Sequence, residues 1–156
     1  ENGDSIRAVI NVKSITDPDY INNNFIVMCT EQGTIKKTLL EAYSNVRRTG
    51  IIAITIDQSD RLLDVVMTNG DNDLVIASRA GKAVRFHETR VRPMGRTATG
   101  VKGITLDEET GDDRVIGMVC IGRPDAQLLV ISENGYGKRS PIDEYRVTNR
   151  GAKGVG

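Results

Sequence analysis

Glu31-Gln32-Gly33-Thr34-Ile35-Lys36-Lys37, Arg79-Ala80-Gly81-Lys82-Ala83-Val84-Arg85 and Glu133-Asn134-Gly135-Tyr136-Gly137-Lys138-Arg139 are three copies of one pattern, a glycine turn that leads into basic residues. Arg48, Arg96 and Arg150 each stand fifteen residues after their glycine. The glycines are 48 and 54 residues apart, and self-similarity at about 40–50 residues marks propellers and related arrays. An apolar run precedes each glycine, at 25–29, 74–77 and 128–131. Short apolar runs rich in β-branched residues and bounded by turn signals predict buried strands. Each glycine is then the turn of a hairpin, where its freedom to take positive φ is needed.

Outward from the turn, Thr34-Ile35-Lys36-Lys37-Thr38-Leu39 mixes polar and apolar residues, as a half-exposed strand does. A polar stretch follows and ends at a second glycine, Gly50, Gly100 or Gly154. Further strands are predicted at 51–56 and 101–106. An acidic turn then leads to an apolar run that begins in one frame each time: Asp4-Ser5-Ile6, Asp60-Arg61-Leu62, Asp113-Arg114-Val115. One unit thus holds about four strands, as a propeller blade does. The expected fold is all-β, an array of four-stranded blades with units at 25–68, 74–120 and 128–156, the last truncated. Residues 1–12 are expected to be the tail of a preceding unit. About three blades do not close a ring of roughly 4–8, so the chain reads as a fragment of one larger domain, with closure by oligomerisation as the alternative. Residues 16–24, rich in Asp and Asn, are expected to form a surface loop, and 39–48 has room for a single helical turn.

The chain has 156 residues, and no apolar run of about 18 residues suggests a membrane span. Cys29 and Cys120 sit inside apolar strands and are expected to be free buried thiols rather than a disulfide.

The formal net charge of zero hides a separation. Windows 33–50, 79–103 and 133–154 hold 16 Lys and Arg against five acids, and the rest of the chain reverses that balance with five bases and 16 acids. Basic segments at equivalent places in every unit would fall on one rim and focus potential on a polyanion; the competing explanation is that such bases only blunt strand edges. The expected DNA-binding set is Lys36, Lys37, Arg47, Arg48, Lys82, Arg85, Arg90, Arg92, Arg96, Lys102, Lys138, Arg139, Arg146, Arg150 and Lys153. With no Trp, two Phe and four Tyr, the chain lacks the aromatic platforms of single-strand binders. Duplex phosphates, contacted independently of sequence and in a salt-sensitive way, fit better.

Gly33-Thr34-Ile35-Lys36-Lys37-Thr38, Lys82-Ala83-Val84-Arg85-Phe86, Glu133-Asn134-Gly135-Tyr136-Gly137-Lys138-Arg139 and above all Val91-Arg92-Pro93-Met94-Gly95-Arg96-Thr97-Ala98-Thr99-Gly100-Val101-Lys102-Gly103-Ile104 resemble the C-terminal domain of the bacterial DNA gyrase A protein. The resemblance runs along essentially the whole chain. It implies a β-pinwheel, a propeller-like disc whose rim wraps duplex DNA, in a cytoplasmic bacterial enzyme that introduces negative supercoils with ATP. It implies the rest of the gyrase A protein and the gyrase B protein as partners, no membrane and no small-molecule substrate. No cofactor is expected in this stretch; the ATP, the Mg and the cleavage tyrosine of the whole enzyme lie on other segments. The family's box, Gln-Arg-Arg-Gly-Gly-Lys-Gly, has no intact copy here. Asn149-Arg150-Gly151-Ala152-Lys153-Gly154 resembles it with Ala in place of Gly, and the intact box is expected upstream. The related domain of topoisomerase IV, often without a box, is the nearest alternative, followed by a protein-interaction propeller.

Other signals carry little. His87 is the only histidine and has no evident partners for a metal or acid–base role. Asn69-Gly70-Asp71-Asn72-Asp73 lacks the offsets of a calcium loop and fits a turn. Gly100-Val101-Lys102-Gly103 lacks the spacing of a phosphate loop. No nucleophile–base pair points to catalysis by this segment.

Overall fold

A computed structural model describes residues 3, 5–109 and 111–156. The three predicted hairpins are present. In the first blade, β1 (Phe25–Thr30) pairs antiparallel with β2 (Thr34–Leu39), and β3 (Leu62–Thr68) returns along the other edge of β1. In the second, β4 (Asp73–Ser78) pairs with β5 (Ala83–His87). β6 (Val101–Lys102) follows in the chain, and β7 (Val115–Ile121) comes back along β4. In the third, β8 (Gln127–Ile131) pairs with β9 (Gly137–Pro141). The registers are equivalent: Phe25 faces Leu39, Asp73 faces His87 and Gln127 faces Pro141. Both returning strands shift register at matching places, between Cys29 and Thr30 and between Ala77 and Ser78.

The fourth strand of the first blade is not where the sequence suggested. The sheet order is β3-β1-β2-β6: Val101 and Lys102 pair with Ile35 and Thr34 of the preceding hairpin. The spacer that leaves each hairpin therefore lies along the outer strand of the blade before. Pro93 bridges Lys37 and Val147 bridges Arg85, both in parallel sense, and Val155 bridges Ala83. The predicted strand at 101–106 is thus only two residues long, and 51–56 forms no strand. Ile51 and Ile52 hold the place of Val101 and Lys102, but pair with no strand among the described residues. Residues 5–12, expected as the last strand of a unit, are likewise irregular. Consecutive spacers bond to one another instead. Thr55 Oγ1 donates to Thr97 O at 2.7 Å, and Thr105 Oγ1 to Gly151 O at 2.7 Å.

Close packing of spacer on strand explains the second glycine. A Cβ on Gly100 would lie 2.5 Å from Ile35 O, and one on Gly154 would lie 2.7 Å from Ala83 O; the φ angles are +107° and +78°. Only glycine fits both the space and the backbone.

Residues 16–24 form a helix rather than a loop. α1 (Pro18–Asn23) starts on Asp17, whose carboxylate accepts from Asp19 N, and has Pro at its first turn. These are favoured N-cap and N1 choices. The helical turn expected in 39–48 is the 3-10 turn Leu40–Tyr43; its counterparts are Glu88–Arg90 and Ile142–Glu144.

Strand alternation sends side chains to two faces. Val27, Cys29 and Ile35 of the first blade meet Leu74, Ile76, Val84 and Phe86 of the second in the main core, closed by Val91, Ile104, Val115 and Met118. The opposite face of the first blade, with Ile26, Met28 and Leu40, is covered by α1 and by Ile10, Val12, Ala53 and Ile54. The second blade meets the third more openly. A cleft of about 420 Å³ opens between β7 and β8, lined by Val119, Cys120, Leu128 and Ile142 among others. Leu129, Val130 and Ile131 remain exposed. Burial pushes the Cys29 thiol up to about 12 and the Cys120 thiol to about 11; both are free.

Candidate nucleic-acid interface

Two of the three repeated Asp residues, Asp60 and Asp113, close hairpin turns; Asp4 lies outside the described residues. Gln32 N donates to Asp60 Oδ1 at 3.0 Å, and Ala80 N donates to Asp113 Oδ1 at 2.9 Å. Partial desolvation works to raise the Asp113 carboxyl, but the N–H groups of Asp107 and Ala80 outweigh it and leave the carboxyl below its ordinary value. The frame seen in the sequence is thus a turn cap, a role that the spacing alone did not disclose.

The fifteen expected DNA-binding residues divide into two groups. Five are held inside or half inside the fold. Lys36 is fully buried and Lys37 is 3% exposed. The Lys36 ammonium donates to Ala53 O at 2.6 Å and to Arg96 O. Burial, with the Arg96 guanidinium adding to it, holds Lys36 down to about 8 from its ordinary 10.5. The Lys37 ammonium sits 2.9 Å from Glu88 Oε2 and 4.4 Å from the centre of the Phe25 ring. Glu88 is itself fully buried, and its two oxygens also accept from Thr68 Oγ1 at 2.7 Å and from Asn72 N at 2.9 Å. A buried pair is tolerable when the remaining lone pairs are satisfied, and here they are.

Arg85, at the place of Lys37 one unit on, is half-buried. Its Nε and Nη2 reach Asp73 Oδ2 at 2.8 and 2.7 Å, and its Nη1 donates to Ile142 O and Tyr145 O at 2.9 and 3.1 Å. Arg96 and Arg150 point the other way. Arg96 Nη1 donates to Ala42 O at 3.3 Å; Arg150 donates to Arg90 O at 2.9 Å and to Lys102 O at 3.1 Å. So four of the in-register bases, Lys37, Arg85, Arg96 and Arg150, clamp neighbouring blades, while their counterparts Arg48 and Arg139 are exposed with no side-chain partner among the described residues. The outer-strand base reaches forward to the next 3-10 turn, and the spacer arginine reaches back to the previous one. Lys36 and Lys37, expected among the DNA-binding residues, are thus enclosed by the fold, with their ammonium groups held by Ala53 O, Arg96 O and Glu88. The sequence pattern of Thr34–Leu39 suggested half-exposure because it contains no sign of the spacer that folds over it.

The other ten are exposed: Arg47, Arg48, Lys82, Arg90, Arg92, Lys102, Lys138, Arg139, Arg146 and Lys153. Lys138 lies 3.7 Å from Glu144, a loose surface pair. Among the described residues, the other nine show no ion pair or side-chain hydrogen bond. Arg47 and Arg48 stand just before Gly50; Arg90, Arg92 and Lys102 lie along the second spacer; Arg146 and Lys153 lie along the third. Arg92 and Arg146 hold the same place, one residue before the bridging Pro93 and Val147. Sequence reasoning missed Glu88, which it counted only as one acid in a basic window; its signal was an acid inside an otherwise basic segment. His87 bonds Thr89 and Asp71 at the surface. Among the described residues no group of His, Cys, Asp and Glu could hold a metal, and no helix is long and apolar enough to cross a membrane.

Comparison with known proteins bears on what this arrangement serves. The sequence profile described as DNA gyrase C-terminal domain, beta-propeller, matches residues 24–69, 72–121 and 126–155. The DNA gyrase A protein of Staphylococcus aureus (strain MRSA252) is 42% identical over 156 residues, 99% of this chain and 17% of the relative; strain N315 gives the same figures. A solved DNA gyrase A C-terminal domain superposes with a TM-score of 0.83 at 25% identity, over 99% of this chain and 48% of that one. The C-terminal domain of DNA topoisomerase IV gives 0.82 at 28% identity, over 94% and 43%. The chain thus spans about a sixth of the length of the gyrase A proteins it matches and under half of the solved domains.

Proposed function

Because this chain belongs to the DNA gyrase C-terminal domain family, a β-propeller family, we propose that it binds duplex DNA along its exposed spacer bases and bends it, as a non-catalytic part of a gyrase A protein in the bacterial cytoplasm. The observation that carries this reading is the set of exposed bases on the three spacers, Arg47, Arg48, Arg90, Arg92, Lys102, Arg146 and Lys153, whose side chains bond to nothing among the described residues. Val101 and Lys102 form an edge strand beside β2, and the bases on the three spacers are exposed to an approaching polyanion. Phosphate contacts made this way are independent of sequence. Bending 20–30 base pairs through 40–90° costs on the order of 1–6 kcal/mol, which several charge-assisted contacts offset. In the whole enzyme such a bend would present a DNA segment in a fixed sense to the cleavage core, with ATP and the gyrase B protein acting elsewhere. The 42% identity to DNA gyrase A over 99% of this chain supports the gyrase reading, while the solved gyrase and topoisomerase IV domains, at 25% and 28%, do not separate the two.

Duplex affinity measured against salt tests this. Binding should weaken steeply as salt rises, with duplex preferred over single strand; an affinity indifferent to salt refutes it. A second reading, a protein-docking face, draws on the exposed apolar residues Leu129, Val130, Ile131, Ile116 and Val119 around the third blade. Duplex binding that survives neutralisation of the spacer bases, or never occurs, would favour it.

A further inference from the structure

The buried Lys37–Glu88 pair does more than the proposed rim needs, and its place in the fold suggests why. Lys37 lies on β2 of the first blade, while Glu88 opens the 3-10 turn Glu88–Arg90 of the second. Lys37 Nζ also approaches Glu88 O at 3.4 Å, and Met94 N donates to Lys37 O at 2.9 Å. The two ends of the segment 88–94 are thus fixed on one residue of the neighbouring blade. Between them stand Arg90 and Arg92, both with exposed side chains that bond to nothing else among the described residues.

The next interface is built differently at the same places. Ile142 occupies the position of Glu88 and Asp73 that of Phe25, in the shared hairpin register. Ile142 has no carboxylate to offer. Arg85 turns to Asp73 of its own blade and gives the third blade only hydrogen bonds to Ile142 O and Tyr145 O, with the exposed Asp143 carboxylate 3.9 Å away. Arg146, the counterpart of Arg92, follows this looser anchor.

We infer that Lys37 and Glu88 are positioning residues: they set the angle between the first two blades and the bearing of Arg90 and Arg92, and so the path of the bound duplex across that interface. The inference rests on the proposed DNA binding. Neither residue touches DNA in this scheme, since one is 3% exposed and the other fully buried. They act through the geometry of the arginines. A buried ion pair is an inefficient stabiliser, because apolar residues of similar volume often do as well. It does impose one relative placement, which apolar contact does not.

The test uses the whole chain and a duplex of about 30 base pairs, a length over which bending is costly, labelled at both ends for energy transfer. The double substitution Lys37→Met with Glu88→Leu removes the pair without leaving a lone buried charge. The triple substitution Phe25→Asp, Lys37→Arg, Glu88→Ile copies the second interface into the first and guards against a variant that fails to fold. Lys37→Arg alone keeps the cation. At saturating protein, the double and triple variants should shift the transfer efficiency away from wild type, and Lys37→Arg should retain it. Arg92→Ala should weaken binding several-fold. Wild-type efficiency in the folded double or triple variant overturns the positioning role while leaving DNA binding intact. A wild-type chain that does not bind the duplex even at low salt overturns the proposed function itself, and this inference with it.

Discussion

The interface between the first and second blades and that between the second and third use the same backbone plan with different side chains. The first holds an apolar core running from Val27 and Ile35 to Leu74 and Phe86, and seals a Lys–Glu pair at its rim. The second has a cleft, exposed Leu129 and Ile131, and an arginine whose one close carboxylate belongs to its own blade. A repeat fixes where the clamps go, and the residues at the clamp decide how firmly they hold. Lys37, Arg85, Arg96 and Arg150 are therefore structural, while the exposed bases, in-register Arg48 and Arg139 among them, are the ones left for a partner.

Breaking each clamp singly should give the widest contrast. Lys37→Met strands the Glu88 carboxylate in the interior, and loss of one partner of a buried pair costs about 3–5 kcal/mol. Arg85→Met leaves Asp73 partly hydrated, so its cost should be about 1–2 kcal/mol, in the range of hydrogen bonds to charged groups. Urea unfolding of the two variants reads the difference directly, and equal costs would remove the distinction between the interfaces.

Gly100→Ala and Gly154→Ala challenge the shared backbone plan. Each forces a side chain against a carbonyl of the previous blade at positive φ, and strained backbone of this kind costs about 1–3 kcal/mol. The two losses should be similar if the spacer–strand contact is the same in both blades. Thermal melts of both variants check this; a tolerated Gly154→Ala would show that the third spacer is held less closely.

Lys36 supplies an effect that depends on pH. Its ammonium is held at about 8 in the fold against 10.5 when free. Between those values the unfolded chain binds more protons than the folded one, so stability from this group rises as pH goes from about 8 to 10.5. The Cys29, Cys120 and Tyr43 groups are raised by burial and act in the opposite sense. The comparison with Lys36→Met isolates the lysine: wild type should gain on the variant across that window. A constant difference would mean that the ammonium is as well solvated inside as out.

The three hairpins were legible in the sequence because each is local: an apolar run, a glycine and a strand of matched length. The strand exchange was not. Val101 and Lys102 form a two-residue strand on a hairpin far behind them in the chain, and nothing within 101–106 announces the partner. That same hidden cover accounts for Lys36 and Lys37, whose alternation in β2 looked half-exposed. The α1 helix had a local signal, Asp17 followed by Pro18, which a run of Asp and Asn obscured. The spacer bases were all visible in the sequence, but their division into clamps and free cations depends on contacts between units.

That division is tested most directly by the salt dependence of duplex binding. The wild-type chain and the variant Arg47→Gln, Arg48→Gln, Arg92→Gln, Arg146→Gln should be equally stable, within about 0.5 kcal/mol for exposed sites. Each phosphate contact contributes about −0.9 to the slope of log K against log salt, so the variant slope should be shallower by about 3–4. A variant that binds duplex DNA with the wild-type slope would contradict the account.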